Sequence, residues 1–129
     1  MKKQTLSFGK NLLIMAFLPM TIPLVLSQAA LADTLKTKDF RVTITNNCQE
    51  GEVVCNNVTY KGVNVNTNAS IQLRGKTVHT LCADGVTPCR FVGYQFSNGN
   101  YRYLVTEQGS LQVYQNGKIV LNQRGTWEH

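Results

Sequence analysis

Phe91-Val-Gly-Tyr-Gln-Phe96, Ser97-Asn98-Gly99-Asn100, Tyr101-Arg-Tyr-Leu-Val105, Thr106-Glu107-Gln108-Gly109, Ser110-Leu-Gln-Val-Tyr-Gln115, Asn116-Gly117, Lys118-Ile-Val-Leu121: this run of chain decides the fold class. Asn-Gly between apolar runs is the strongest short hairpin signal, because both residues accept the positive φ of a type I′ turn. It occurs twice, at Asn98-Gly99 and Asn116-Gly117, and Glu107-Gln108-Gly109 joins the two hairpins. The stretch predicts a four-stranded antiparallel meander.

Upstream the same period of two persists. Phe40, Val42 and Ile44 alternate with Arg41, Thr43 and Thr45, as a half-buried strand requires. Val53–Tyr60, Ile71–Leu73 and Thr77–Leu81 are further strand candidates, and Asn66-Thr67-Asn68-Ala69-Ser70 reads as a turn-rich loop. No long stretch after Lys38 has helical periodicity. Seven or eight short strands must curl to bury one face, so the expected class is all-β, a small antiparallel meander closing into a barrel or sandwich.

The first 32 residues have the parts of a secretory signal: Lys2, Lys3 and Lys10, an apolar run from Leu12 to Leu26, and Ala30-Leu31-Ala32 before Asp33. The run is shorter than the ~20 residues that span a bilayer, and Pro19 and Pro23 interrupt it. The reading is residues 1–32 as a removed signal peptide and 33–129 as one β domain, periplasmic or secreted, with no membrane anchor after cleavage. Of thirteen Lys and Arg, the three lost with the signal leave ten against seven Asp and Glu, so net charge falls from +6 to +3. The remaining cations are scattered along the sequence, without the clustering of a nucleic-acid footprint.

Cys48, Cys55, Cys82 and Cys89 form two matched Cys-x6-Cys segments, each with a turn glycine inside, Gly51 and Gly85. Four cysteines in a small exported domain point to two disulfides. A central turn favours the local pairs Cys48–Cys55 and Cys82–Cys89, although crossed pairings are open. A four-thiolate zinc site calls for ligands two to four residues apart, and a redox pair for Cys-x-x-Cys; neither spacing is present. No metal or cofactor is expected.

Catalytic signals are weak. Asp33, Asp39, Glu50, Glu52, Asp84, Glu107 and Glu128 have no paired-carboxylate setting, and a glycosidase cleft is a poor fit to 97 residues. His79 has no orienting partner at a useful spacing, and there is no nucleophile elbow or phosphate loop. Asn57-Val-Thr59 and Asn68-Ala-Ser70 match the glycosylation acceptor pattern, which is short and common by chance. The expectation is a non-enzyme. Tyr94, Tyr101, Tyr103 and Tyr114 are the candidate binding surface, since tyrosine is enriched in recognition patches, although aromatics also pair across strands for purely structural reasons.

Phe96-Ser97-Asn98-Gly99 through Gly109-Ser110-Leu111 resembles the central motif of the bacterial periplasmic inhibitors of C-type lysozyme, over about 30 residues. That resemblance implies a secreted, disulfide-bearing, eight-stranded β-barrel that binds a cell-wall hydrolase. The family's inhibitory lysine corresponds most nearly to Glu107, a charge reversal. Its serine-containing loop has no clear counterpart in Arg90-Phe91-Val92-Gly93. Two functions follow as expectations: a protein that binds or inhibits a macromolecular partner such as a cell-wall hydrolase, or a carrier or structural envelope module holding a small ligand in a barrel mouth. A carrier needs a cavity of roughly 300 Å³ or more.

Overall fold

The computed structural model describes residues 31–129. Eight strands, β1 (Leu31–Thr37), β2 (Phe40–Asn46), β3 (Val58–Asn64), β4 (Ser70–Leu81), β5 (Pro88–Asn98), β6 (Tyr101–Thr106), β7 (Ser110–Gln115) and β8 (Lys118–Glu128), follow one another in a closed antiparallel barrel. β1 pairs with β8 to shut it, from Thr34↔Glu128 to Thr37↔Gly125. Closure removes the exposed edges that an open sheet would present.

Up-and-down order divides the connections between two ends. The β1–β2, β3–β4, β5–β6 and β7–β8 connections share one end, here called the turn end. The β2–β3, β4–β5 and β6–β7 connections share the other, the stapled end, because both disulfides lie there. Alternation sends Leu35, Val42, Ile44, Val58, Tyr60, Phe96, Val105, Leu111 and Val113 inward, where they form the buried core.

The hairpin turns differ in detail from the sequence reading. At Asn116-Gly117 both residues have positive φ, 51° and 82°, as type I′ requires. In the first hairpin Asn98 pairs with Tyr101, so the turn is Gly99-Asn100 and only Gly99 has positive φ. That is the pattern of a II′ turn, shifted one residue from the Asn-Gly position.

Three strand assignments are corrected. The Val53–Tyr60 candidate is displaced: β3 starts at Val58 and runs past Tyr60 to Asn64, because Cys55 turns into the barrel and takes residues 53–57 out of the ladder. The candidates Ile71–Leu73 and Thr77–Leu81 are one twelve-residue strand. Gly75 does not break it; β4 and β5 approach so closely there that a Cβ would strike the Gln95 carbonyl. β1 lies upstream of the first expected strand. It has one fully buried apolar residue, Leu35, which leaves little alternation to read.

The signal-peptide reading for residues 1–32 lies outside the described residues except at its end. Leu31 and Ala32 open β1, in register with Asn46 and Thr45. Cleavage before Asp33 would therefore trim β1 without reaching Leu35.

Both local disulfides are present, with Cα–Cα distances of 5.8 Å for Cys48–Cys55 and 5.0 Å for Cys82–Cys89. They place the folded chain in an oxidising, non-cytoplasmic setting. The second staples the tip of the β4–β5 hairpin. The first joins no adjacent strands; it holds the β2–β3 loop folded inward.

Candidate binding cavity

The two ends of the barrel are built differently. At the stapled end Cys55 is fully buried. Its N–H donates to Thr77 Oγ1 at 3.0 Å, and the Thr77 N–H donates to the Cys55 carbonyl at 2.9 Å. The β2–β3 loop is thus a plug, with the polar groups it carries inside satisfied by β4.

The turn end is open. A cavity of about 430 Å³ enters the barrel there. Its walls are Phe40, Ile71, Tyr103, Val113 and Leu121, with the buried Tyr60 and Leu111 deeper and Asn64, Ala69 and Ser70 toward the lip. Leu121 belongs to a part of β8 that β1 does not reach, since their pairing stops at Thr37↔Gly125. Side chains bridge that seam: Thr37 Oγ1 and Gln123 Oε1 lie 2.8 Å apart, and Gln123 Nε2 donates to Asp39 at 2.7 Å. Asn66 Nδ2 also donates to Asp39, at 3.0 Å. These two donors, Gln123 first, hold the Asp39 carboxyl below the usual carboxylate range.

Tyr60 is the most deeply buried polar side chain lining the cavity. It is 2% exposed, tilted against Phe96 and Tyr103 at ring distances of 5.1 and 5.4 Å. Its phenol lies over Gly62, two residues along the same face; a Cβ at 62 would come within 2.6 Å of the hydroxyl oxygen. Glycine there makes room for the ring. Burial, with the Tyr103 hydroxyl nearby, pushes Tyr60 above the ordinary tyrosine range, so it is a neutral donor at physiological pH. The hydroxyl has no protein hydrogen-bond partner among the described residues, whereas buried polar groups are normally paired.

The four tyrosines singled out from sequence do not share one surface. Tyr103 lines the cavity. Tyr94 and Tyr101 pack half-buried against the core, and Phe91 stands edge-on to Tyr94 at 5.1 Å. Tyr114 lies on the outer wall under the Arg102 guanidinium, 4.5 Å from its ring centre. Tyr60 and Gly62 were not singled out. The signal available was the spacing Tyr-x-Gly within a strand, which marks a ring laid over a bare backbone position.

The histidines and carboxylates are dispersed among the described residues. Among the described residues no group of three or more His, Cys, Asp and Glu is placed to hold a metal. His79 stacks edge-on to Phe91. His129 Nδ1 lies 2.9 Å from Asp33, beside the start of β1. Asp84 sits inside the Cys82–Cys89 loop. The Thr87 hydroxyl and the backbone N–H groups of Thr87 and Val86 hold its carboxyl down to about 2. That is a turn-forming role.

No protein-family model, curated protein or solved structure matches the chain.

Proposed function

We propose that the chain is an exported, non-enzymatic binding protein, periplasmic or secreted after removal of residues 1–32, whose open barrel end holds a small, mostly apolar ligand with one hydrogen-bonding group. One observation carries this: a cavity of about 430 Å³ with the unpartnered Tyr60 hydroxyl inside it. The volume is within the range of small-molecule sites, and apolar walls with few polar groups are their usual composition. A ligand acceptor on Tyr60 would satisfy a buried donor that has no protein partner among the described residues.

Fluorescence titration with the neutral apolar dye N-phenyl-1-naphthylamine tests the reading. Saturable, one-to-one enhancement is expected, and Leu121→Trp, which fills the cavity from its wall, should abolish it while the fold is retained. A wild-type protein that leaves the dye unchanged sinks the proposal.

A second reading keeps the macromolecular partner, a cell-wall hydrolase such as lysozyme. It is favoured by the β4–β5 hairpin, which runs past its neighbours: β3 pairs no further than Gly75 and β6 no further than Gly93. Leu81 and Val86 are 58% and 78% exposed on this stapled projection. Capture of a hydrolase by the native protein, lost in Leu81→Ser/Val86→Ser, would favour it. A direct lysozyme assay decides inhibition.

A further inference from the structure

We propose that the outer wall of the barrel across β3–β6 binds an acidic polysaccharide, at a site separate from the cavity. In sequence the cations are dispersed, but the register gathers four of them. Lys61, Arg74, Lys76 and Arg102 are all exposed at outward positions. Thr59 pairs with Arg74, Lys61 with Gln72, Lys76 with Gln95, and Ser97 with Arg102. Arg74 and Lys76 are therefore about 7 Å apart along one strand, and Arg102 lies two strands or about 10 Å across from Arg74.

Nothing neutralises this band. β3 to β7 contain no Asp or Glu. The ion pairs among the described residues are Lys36–Glu128 and His129–Asp33, and neither involves the band. Six of the seven carboxylates, those of Asp33, Glu50, Glu52, Asp84, Glu107 and Glu128, belong to the stapled end and the strand termini there. The seventh, Asp39, is occupied by Gln123 and Asn66. Like charges on neighbouring sheet positions repel, so the arrangement disfavours the free fold and favours an anionic partner.

Neutral hydrogen-bonding groups choose among polyanions. A shallow recess of about 510 Å³ is lined by Arg74 and Lys76 together with Asn56, Gln95 and Ser97. Amides and a hydroxyl between two cations match a sugar that carries both hydroxyls and a carboxylate or ester anion. The convex wall of a closed barrel touches a flat bilayer only along a line, and an oxidising compartment is not where nucleic acid is kept. A flexible charged chain can follow the band.

The test measures binding of the native protein to alginate, a polyuronate, beside neutral dextran, duplex DNA and phosphatidylglycerol vesicles. Alginate should bind and dextran should not, with affinity falling steeply between roughly 0.05 and 0.2 M salt. Arg74→Gln/Lys76→Gln should weaken alginate binding about tenfold, the combined loss of two exposed ion pairs. Arg90→Gln, on the hairpin outside the band, should change it less than about twofold. The double variant should still bind the apolar dye, which separates this site from the cavity. Absent alginate binding, an equal loss in Arg90→Gln, or tighter binding to DNA or vesicles would overturn the proposal.

Discussion

The Tyr60 phenol lies over Gly62, and a Cβ at position 62 would come within 2.6 Å of its hydroxyl oxygen and 2.8 Å of its ring. Gly62→Ala must therefore push the ring toward the cavity, its one open side. The expected result is a loss of about 1–3 kcal/mol from overpacking and a weakened dye complex. Urea unfolding followed by Trp127, the single tryptophan, gives the first; dye titration gives the second. An unchanged stability would mean that the ring has another resting place.

Tyr60→Phe separates fold from function at the same site. The hydroxyl is buried without a protein partner, so its removal should leave stability unchanged or raise it by about 1 kcal/mol. A ligand that accepts a hydrogen bond there should bind about tenfold more weakly, the loss of one buried hydrogen bond. Stability falling with affinity would show that the hydroxyl serves the fold instead.

Acid should act first on the Cys82–Cys89 loop and the β1–β8 seam. Asp84 is held down to about 2, and Asp39 below its ordinary 3.8, by hydrogen bonds to the ionised form. A carboxylate depressed in the folded state contributes stability above its unfolded pKa and loses it as pH falls through the folded one. For Asp84 that window runs from about pH 4 down to about 2. Urea midpoints should fall across it, and Asp84→Asn should flatten part of the slope while lowering the midpoint at neutral pH. Identical pH profiles would remove Asp84 from the account.

The all-β class, the C-terminal meander and both disulfides were legible because each rests on local chemistry: alternation, turn glycines, cysteine spacing. What escaped depends on long-range geometry. β1 has only Leu35 to declare it, and β8, the second of its two partner strands, is about 90 residues away. Val53 and Val54 look like strand residues, yet the Cys55–Thr77 contact draws them into the plug. The cavity was legible only as an option, since no local pattern tells an open barrel end from a filled one. The basic band follows from strand register, which joins Lys61, Arg74 and Arg102 across three hairpins.

Export should leave the barrel intact. A chain beginning at Asp33 loses the pairs Leu31↔Asn46 and Ala32↔Thr45 but keeps Leu35 and all four β1–β8 pairs. Residues 33–129 should show β-type circular dichroism and a melting temperature within a few degrees of the chain that begins at Leu31. N-terminal sequencing of exported material should read Asp33-Thr-Leu-Lys. A different first residue moves the processing site, and a melting temperature far lower would make Leu31 and Ala32 part of the domain.

The two disulfides should differ in what they stabilise, although both span a sequence separation of seven. Loop entropy alone assigns each about 2.5 kcal/mol. The surroundings break the tie. Cys89 is exposed at a hairpin that projects beyond its neighbours, so opening Cys82–Cys89 should fray that tip and cost about 2–3 kcal/mol. Cys55 is fully buried and exchanges two hydrogen bonds with Thr77. Opening Cys48–Cys55 frees the plug, so the buried Thr77 N–H and hydroxyl lose partners at a further cost of about 1–3 kcal/mol. Cys48→Ser/Cys55→Ser should therefore be the less stable variant. Hydrogen exchange should show lost protection at Thr77 and Cys55 in that variant, and near Thr80 and Arg90 in Cys82→Ser/Cys89→Ser. Thr77→Val, which removes the hydroxyl and spares the bridge, should reproduce part of the first loss. If the two double variants unfold at the same urea concentration, the β2–β3 loop does not close the barrel as a plug.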